Sequence, residues 1–78
     1  MNEQQIRTMV ADALGEIAPE VDVGNVHASE DLRQALDLDS MDFLNLVIAL
    51  SQNTGRAIPE SDYPKLFSLA GMAAYFLD

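Results

Sequence analysis

Residues 37–55 read Asp37-Leu38-Asp39-Ser40-Met41-Asp42-Phe43-Leu44-Asn45-Leu46-Val47-Ile48-Ala49-Leu50-Ser51-Gln52-Asn53-Thr54-Gly55. From Met41 to Leu50 only Asp42 and Asn45 break an apolar run, so a helix here is apolar over most of its circumference. Such a helix is expected to lie centrally among its neighbours. Gly55 supplies a left-handed stop. At the other end Asp39 and Ser40 compete for the cap. With Asp39 as N-cap, its carboxylate accepts from the Asp42 N–H, and Asp42 falls at the third helical position, where an acid suits the cap and the dipole. With Ser40 as N-cap, Phe43 takes that position and the acidic partner is lost. The first register is favoured. It leaves the Ser40 hydroxyl free at the first helical position, flanked by carboxylates.

Toward the amino terminus, Ile6, Met9, Val10, Ala13, Leu14 and Ile17 recur at three- and four-residue steps and define a helix over about 3–18. Pro19 ends it, and Gly15 weakens it by roughly 1 kcal/mol relative to alanine. Residues 19–38 read as a long extended loop with Val21, Val23 and Val26 as apolar anchors, since no second strand exists to pair with them. Ser29 and the following Asp31-Leu32-Arg33 suggest one helical turn, with Leu32 and Leu36 inward. Loops of this length are commonly functional. Toward the carboxyl terminus, residues 56–65 are turn-rich, Pro64 is suited to start a short helix, and Ser68 caps a last helix with Leu69, Met72, Ala73 and Phe76 on one face. The fold expected is all-α, a single small four-helix bundle over 1–78 with a long first loop and a short third helix.

Composition narrows the function. The chain has 78 residues, no cysteine, 13 Asp plus Glu against 4 Lys plus Arg, and a formal charge of −9. About 60–65% of the unfolded surface is buried by a chain this short, so its stability margin is thin. Lack of cysteine excludes disulfides and a thiol nucleophile. The charge disfavours nucleic acid and anionic membranes and favours a basic protein surface. No apolar run is long enough to span a membrane, and the first residues carry no signal-peptide pattern, which leads us to expect a cytoplasmic monomer. Counted from Asp37, the EF-hand positions for glycine and glutamate hold Asp42 and Ile48, so a calcium loop is excluded and no metal site is expected. His27 is the only histidine and reads as a loop residue without a special role. No catalytic residue is expected, because Ser40 has no nearby base. Arg7, Arg33, Arg56 and Lys65 look scattered and solvated, and Tyr63 and Tyr75 look like packing aromatics with polar tips.

Asp39-Ser40-Met41 with the following apolar run resembles the Asp-Ser-Leu signature of the acyl carrier protein family. Ile58-Pro59 after Gly55, and residues 67–77, resemble the same family's third loop and last helix. The resemblance covers most of the chain, most strongly 32–77. It implies a carrier, not an enzyme, with 4′-phosphopantetheine from coenzyme A attached at Ser40 by a phosphopantetheinyl transferase. Acyl groups would ride on that arm as thioesters and be delivered to partner enzymes of lipid or secondary metabolism. The resemblance also suggests Asp37, Asp39, Met41 and Asp42 as contacts for acyl-loading and acyl-accepting enzymes with basic docking surfaces. Phe43, Leu46, Val47 and Leu50 would line a shelter for the acyl chain. Alternatives are an aminoacyl or peptidyl carrier and an unmodified acidic helical adaptor. The chain departs from the housekeeping pattern in several places. Asn45, Ser51 and Gln52 stand where such carriers usually have acids, Leu36-Asp37 replaces leucine-glycine, and Met41 replaces leucine. Specialised partners are therefore expected.

Overall fold

The computed structural model describes residues 2–20 and 22–76, and all regular structure among them is helical. Helix α1 spans Glu3–Ile17 and buries Ile6, Met9, Val10, Ala13 and Leu14. Two reciprocal bonds fix its start: the Gln5 N–H donates to the Asn2 side chain at 2.9 Å, and the Asn2 N–H donates to the Gln5 side chain at 3.0 Å. The sequence reading missed this box, although the Asn-x-x-Gln spacing carries it. Ala18 closes the helix by donating to the Leu14 carbonyl at 2.7 Å, just before Pro19.

The long connection is more ordered than an extended loop. Val23–Asn25 forms one 3-10 turn capped by Asp22, and Val23 and Val26 are buried as anchors. Val21, expected to anchor with them, lies outside the described residues. Helix α2 is the single turn Leu32–Ala35, and its cap is Asp31 rather than Ser29. Leu32 is fully buried and Leu36 half-buried. Two backbone bonds tie this connection to the carboxyl-terminal part of the chain. The Leu32 N–H donates to the Phe67 carbonyl at 2.7 Å, and the Ala70 N–H donates to the Ala28 carbonyl at 2.9 Å.

Helix α3 spans Ser40–Thr54 and packs Phe43, Leu46, Val47 and Leu50 into the core. It ends at Gly55, whose φ of +71° is the left-handed conformation expected there. The helix expected to lie centrally is not covered all round: Met41 is 62% exposed and Ile48 45%. It is α1 that packs against both α3 and the last helix and so takes the central place.

A 3-10 helix over Glu60–Leu66 forms the short third helix. It starts after Pro59, with the Asp62 N–H donating to the Pro59 carbonyl at 2.9 Å, so Pro64 sits inside it and does not open it. Helix α4, Leu69–Tyr75, is capped by the Ser68 hydroxyl, which accepts from the Gly71 N–H at 3.0 Å. Leu69, Met72 and Phe76 are buried and Ala73 is half-buried. The Tyr75 hydroxyl donates to Asp62 at 2.8 Å, and Lys65 bridges the same carboxylate at 3.3 Å. The four cations are not simply solvated. Arg7 donates to the Val23 carbonyl at 3.2 Å, Arg33 pairs with Asp31 at 2.7 Å, and Arg56 donates to the Tyr75 carbonyl at 3.5 Å.

Candidate functional site

The junction between α2 and α3 is shaped by a residue in an unusual conformation. Asp37 has a φ of +54°, a left-handed value that few non-glycine residues adopt, although aspartate tolerates it better than most. The turn swings Leu38 into the core, where its N–H also donates to the Arg33 carbonyl at 2.9 Å. With Leu38 anchored, Asp39 and Ser40 are carried outward, and both are exposed.

Asp39 caps α3 as its sequence position implies. Its side chain accepts from the Asp42 N–H at 2.8 Å, and the Phe43 N–H donates to its carbonyl at 3.0 Å. Ser40 is the first residue of the helix, and among the described residues no hydrogen bond engages its hydroxyl. This leaves a free oxygen at the positive end of a fifteen-residue helix, where an attached phosphate is favoured by the dipole and by open N–H groups.

Asp37, Asp39 and Met41 share this exposed corner with Ser40, while Asp42 is half-buried. Beyond it Asn45 and Ile48 are exposed and Leu44 is half-buried, so this face of α3 is uncharged and partly apolar. Negative charge thus gathers at the helix start and is absent from its flank.

Beside Ser40 lies an open cleft of about 430 Å³, lined by Arg33, Phe43, Leu44, Glu60, Tyr63, Pro64 and Phe67 as well as Ser40 itself. The Phe43 ring meets Phe67 edge-on at 5.3 Å and Tyr63 edge-on at 6.3 Å between centroids. The Arg33 guanidinium lies 3.6 Å above the centre of the Phe67 ring. Two further bonds from Arg33 to Asp31, at 3.1 and 2.7 Å, fix its plane. The bond from Arg33 holds the Asp31 carboxyl below its ordinary range and raises the guanidinium in turn. Of the residues suggested as acyl lining, Phe43 borders this cleft, whereas Leu46, Val47 and Leu50 are sealed in the core at 0, 2 and 0% exposure. A larger recess of about 620 Å³ between α1 and α3 does not include Ser40. The smaller cleft is the one that Ser40 borders.

Sequence reasoning missed Arg33, Tyr63 and Phe67 as neighbours of Ser40. They come from α2, the 3-10 helix and the turn before α4, and only the backbone bonds between those segments bring them together.

Comparison with known proteins agrees with this geometry. The family model for the phosphopantetheine attachment site matches residues 4–76. An acyl carrier protein of Akkermansia muciniphila is 32% identical over 73 residues, covering 94% of this chain and 85% of that protein. An acyl carrier protein of Lactobacillus johnsonii is 31% identical over 75 residues, covering 96% and 92%. A polyketide-8 synthase acyl carrier protein 2 of Streptomyces avermitilis is 30% identical over 71 residues, covering 91% and 76%.

Proposed function

From the premise that this chain belongs to the phosphopantetheine-attachment family and is a carrier of acyl-carrier type, bearing 4′-phosphopantetheine covalently, we propose that Ser40 is the residue esterified by the arm. The observation that carries this reading is the free, exposed hydroxyl at the first position of α3, in a register fixed by the Asp39 cap. When attached, the arm supplies the thiol that this cysteine-free chain lacks and that holds acyl cargo as a thioester. The chain's own residues do the rest. Asp39 fixes the helix start, Leu38 keeps the turn down so that Ser40 stands clear, and the helix terminus receives the phosphodiester's negative charge. Phe43 offers the cargo an apolar wall. Leu46, Val47 and Leu50 would join it only where the core opens.

Partners of the family include a phosphopantetheinyl transferase and acyl-handling enzymes. We place their contacts on Asp37, Asp39, Met41 and Asp42, met by basic surfaces, with the exposed Ile48 extending the footprint along α3. The carrier acts as a cytoplasmic monomer without catalytic activity of its own. No helix among the described residues is long and apolar enough to cross a membrane. Because Asn45, Ser51 and Gln52 carry no charge, enzymes that read an acidic stripe find little here to bind. Housekeeping fatty-acid synthase enzymes should therefore turn this carrier over poorly, and its pathway is a specialised branch of lipid or secondary metabolism.

The deciding experiment is mass spectrometry after incubation with a phosphopantetheinyl transferase and coenzyme A. The wild-type chain should gain one phosphopantetheine and Ser40→Ala none. A wild-type chain that gains nothing would leave an unmodified acidic adaptor as the better description.

A further inference from the structure

We propose that the cleft beside Ser40 selects short, flat acyl groups with a conjugated or aromatic system over long saturated chains, a specificity that rests on the carrier reading of Ser40. Aromatic rings and a guanidinium make up much of its wall. The Phe43 ring meets those of Tyr63 and Phe67 edge to face, and the Arg33 guanidinium lies 3.6 Å over the centre of the Phe67 ring. The guanidinium and the Phe67 backbone are both held in place. Asp31 grips the guanidinium with two bonds, and the Leu32 N–H holds the Phe67 backbone at 2.7 Å. Aromatic rings present negative faces and positive edges, so a flat π-system gains from offset or edge-on contacts that an alkyl group cannot make. A guanidinium adds a planar cation, which attracts the negative face of a π-system.

Depth argues in the same direction. The residues behind Phe43 on α3 are Leu46, Val47 and Leu50, which are closed off and contribute nothing to the cleft lining. A close-packed interior resists insertion of a chain. A short planar group fits against the rings with the core unchanged, whereas a long saturated chain must either part the core or remain in solvent.

Because the chain has no cysteine, the variant Ser40→Cys offers one thiol, to which a pantetheine-like tether can be coupled chemically with no transferase. Tethers ending in butyryl, crotonyl, benzoyl and dodecanoyl groups are compared by NMR of ring and methyl signals. Crotonyl and benzoyl should shift the rings of Phe43, Tyr63 and Phe67, with docked populations about two- to tenfold that of butyryl. Dodecanoyl should leave the methyls of Leu46, Val47 and Leu50 in place. In the background of Tyr63→Leu, the preference for crotonyl over butyryl should shrink while the core methyl spectrum stays folded. Equal docking of crotonyl and butyryl, or dodecanoyl shifts at Leu46, Val47 and Leu50, would overturn the proposal. The carrier reading fails on a different result, the absence of a mass gain when the wild-type chain meets the transferase.

Discussion

Replacing Asp39 separates two roles that one carboxylate combines: capping α3 and presenting charge to partners. The cap bond to the Asp42 N–H is 2.8 Å long and solvent-exposed. Truncating such a cap to alanine costs about 1 kcal/mol, and losing a negative charge at a helix start adds about 0.3–1 kcal/mol. Asp39→Ala should therefore destabilise the fold by about 1.5 kcal/mol. In a domain of this size that lowers the melting temperature by roughly 6–12 °C. Asp39→Asn keeps an acceptor oxygen in place. Its loss of dipole interaction is offset by relief of repulsion with Asp37 and Asp42 in a chain of net charge −9, so it should melt within about 3 °C of wild type. The functional assay is the rate of phosphopantetheine transfer to Ser40, followed by mass spectrometry at temperatures where every variant is folded. If the cap fixes the serine's presentation, Asp39→Ala slows transfer through a frayed first turn. If the transferase also reads the charge, Asp39→Asn slows it as well with stability unchanged. An Asp39→Ala protein that melts at the wild-type temperature would refute the capping argument. So would an Asp39→Asn protein as unstable as the alanine variant.

Two glycines should respond with opposite signs. Gly15 is exposed within α1 and has nothing within 4 Å of a built Cβ, so Gly15→Ala should stabilise by about 1 kcal/mol and raise the melting temperature. At Gly71 a Cβ would be driven into the Lys65 backbone carbonyl, so Gly71→Ala should destabilise by about 1–3 kcal/mol in urea titration. Acid should unfold the protein through Asp31 and Asp62, which are held below their ordinary value of 3.8 chiefly by Arg33 and by the Tyr75 hydroxyl respectively. A carboxyl with a lowered folded pKa contributes stability above its unfolded pKa and loses it as the pH falls through the folded one. Melting temperature should therefore drop on acidification below about pH 4, and less so in Asp62→Asn; a profile of Asp62→Asn that parallels wild type would count against this assignment. Added salt screens the self-repulsion of a −9 chain, so the melting temperature should rise from low to moderate ionic strength.

What the sequence made legible was decided by neighbours in the chain. The cap at Asp39, the cap at Ser68 and the stop at Gly55 each depend on contacts within a few residues, and all three stand in the structure as expected. The 3.6-residue periodicity gave the buried face of α1 for the same reason. The long connection was less readable. Its two turns are set by Asp22 and Asp31, short polar side chains whose capping competes with other local uses, and its path depends on bonds to residues 67 and 70. The exposure of Ile48 is not readable from the run itself, because an apolar run states only that a surface is apolar, not that a neighbour exists to cover it. That uncovered strip adjoins the corner proposed for attachment, which is why it enters the proposed partner footprint.

The same distinction divides the site itself. The proposed attachment point is built from contiguous residues, Asp37 to Asp42, seated by Leu38 in the core and by its N–H bond to the Arg33 carbonyl. The walls proposed to meet the cargo come from Arg33, Tyr63 and Phe67, which are seven to twenty-seven residues away from Ser40 and are brought together by packing. On this proposal modification and selectivity are separate: substitutions in the second set should retune cargo without touching the cap, the turn or the serine. Arg33 belongs to both sets, through different atoms. Its guanidinium forms a cleft wall while its carbonyl receives the Leu38 N–H that seats the turn before Ser40. Changing its side chain removes the wall and leaves the backbone bond intact, so Arg33→Gln should alter cargo docking while leaving the rate of arm attachment close to that of the wild-type chain.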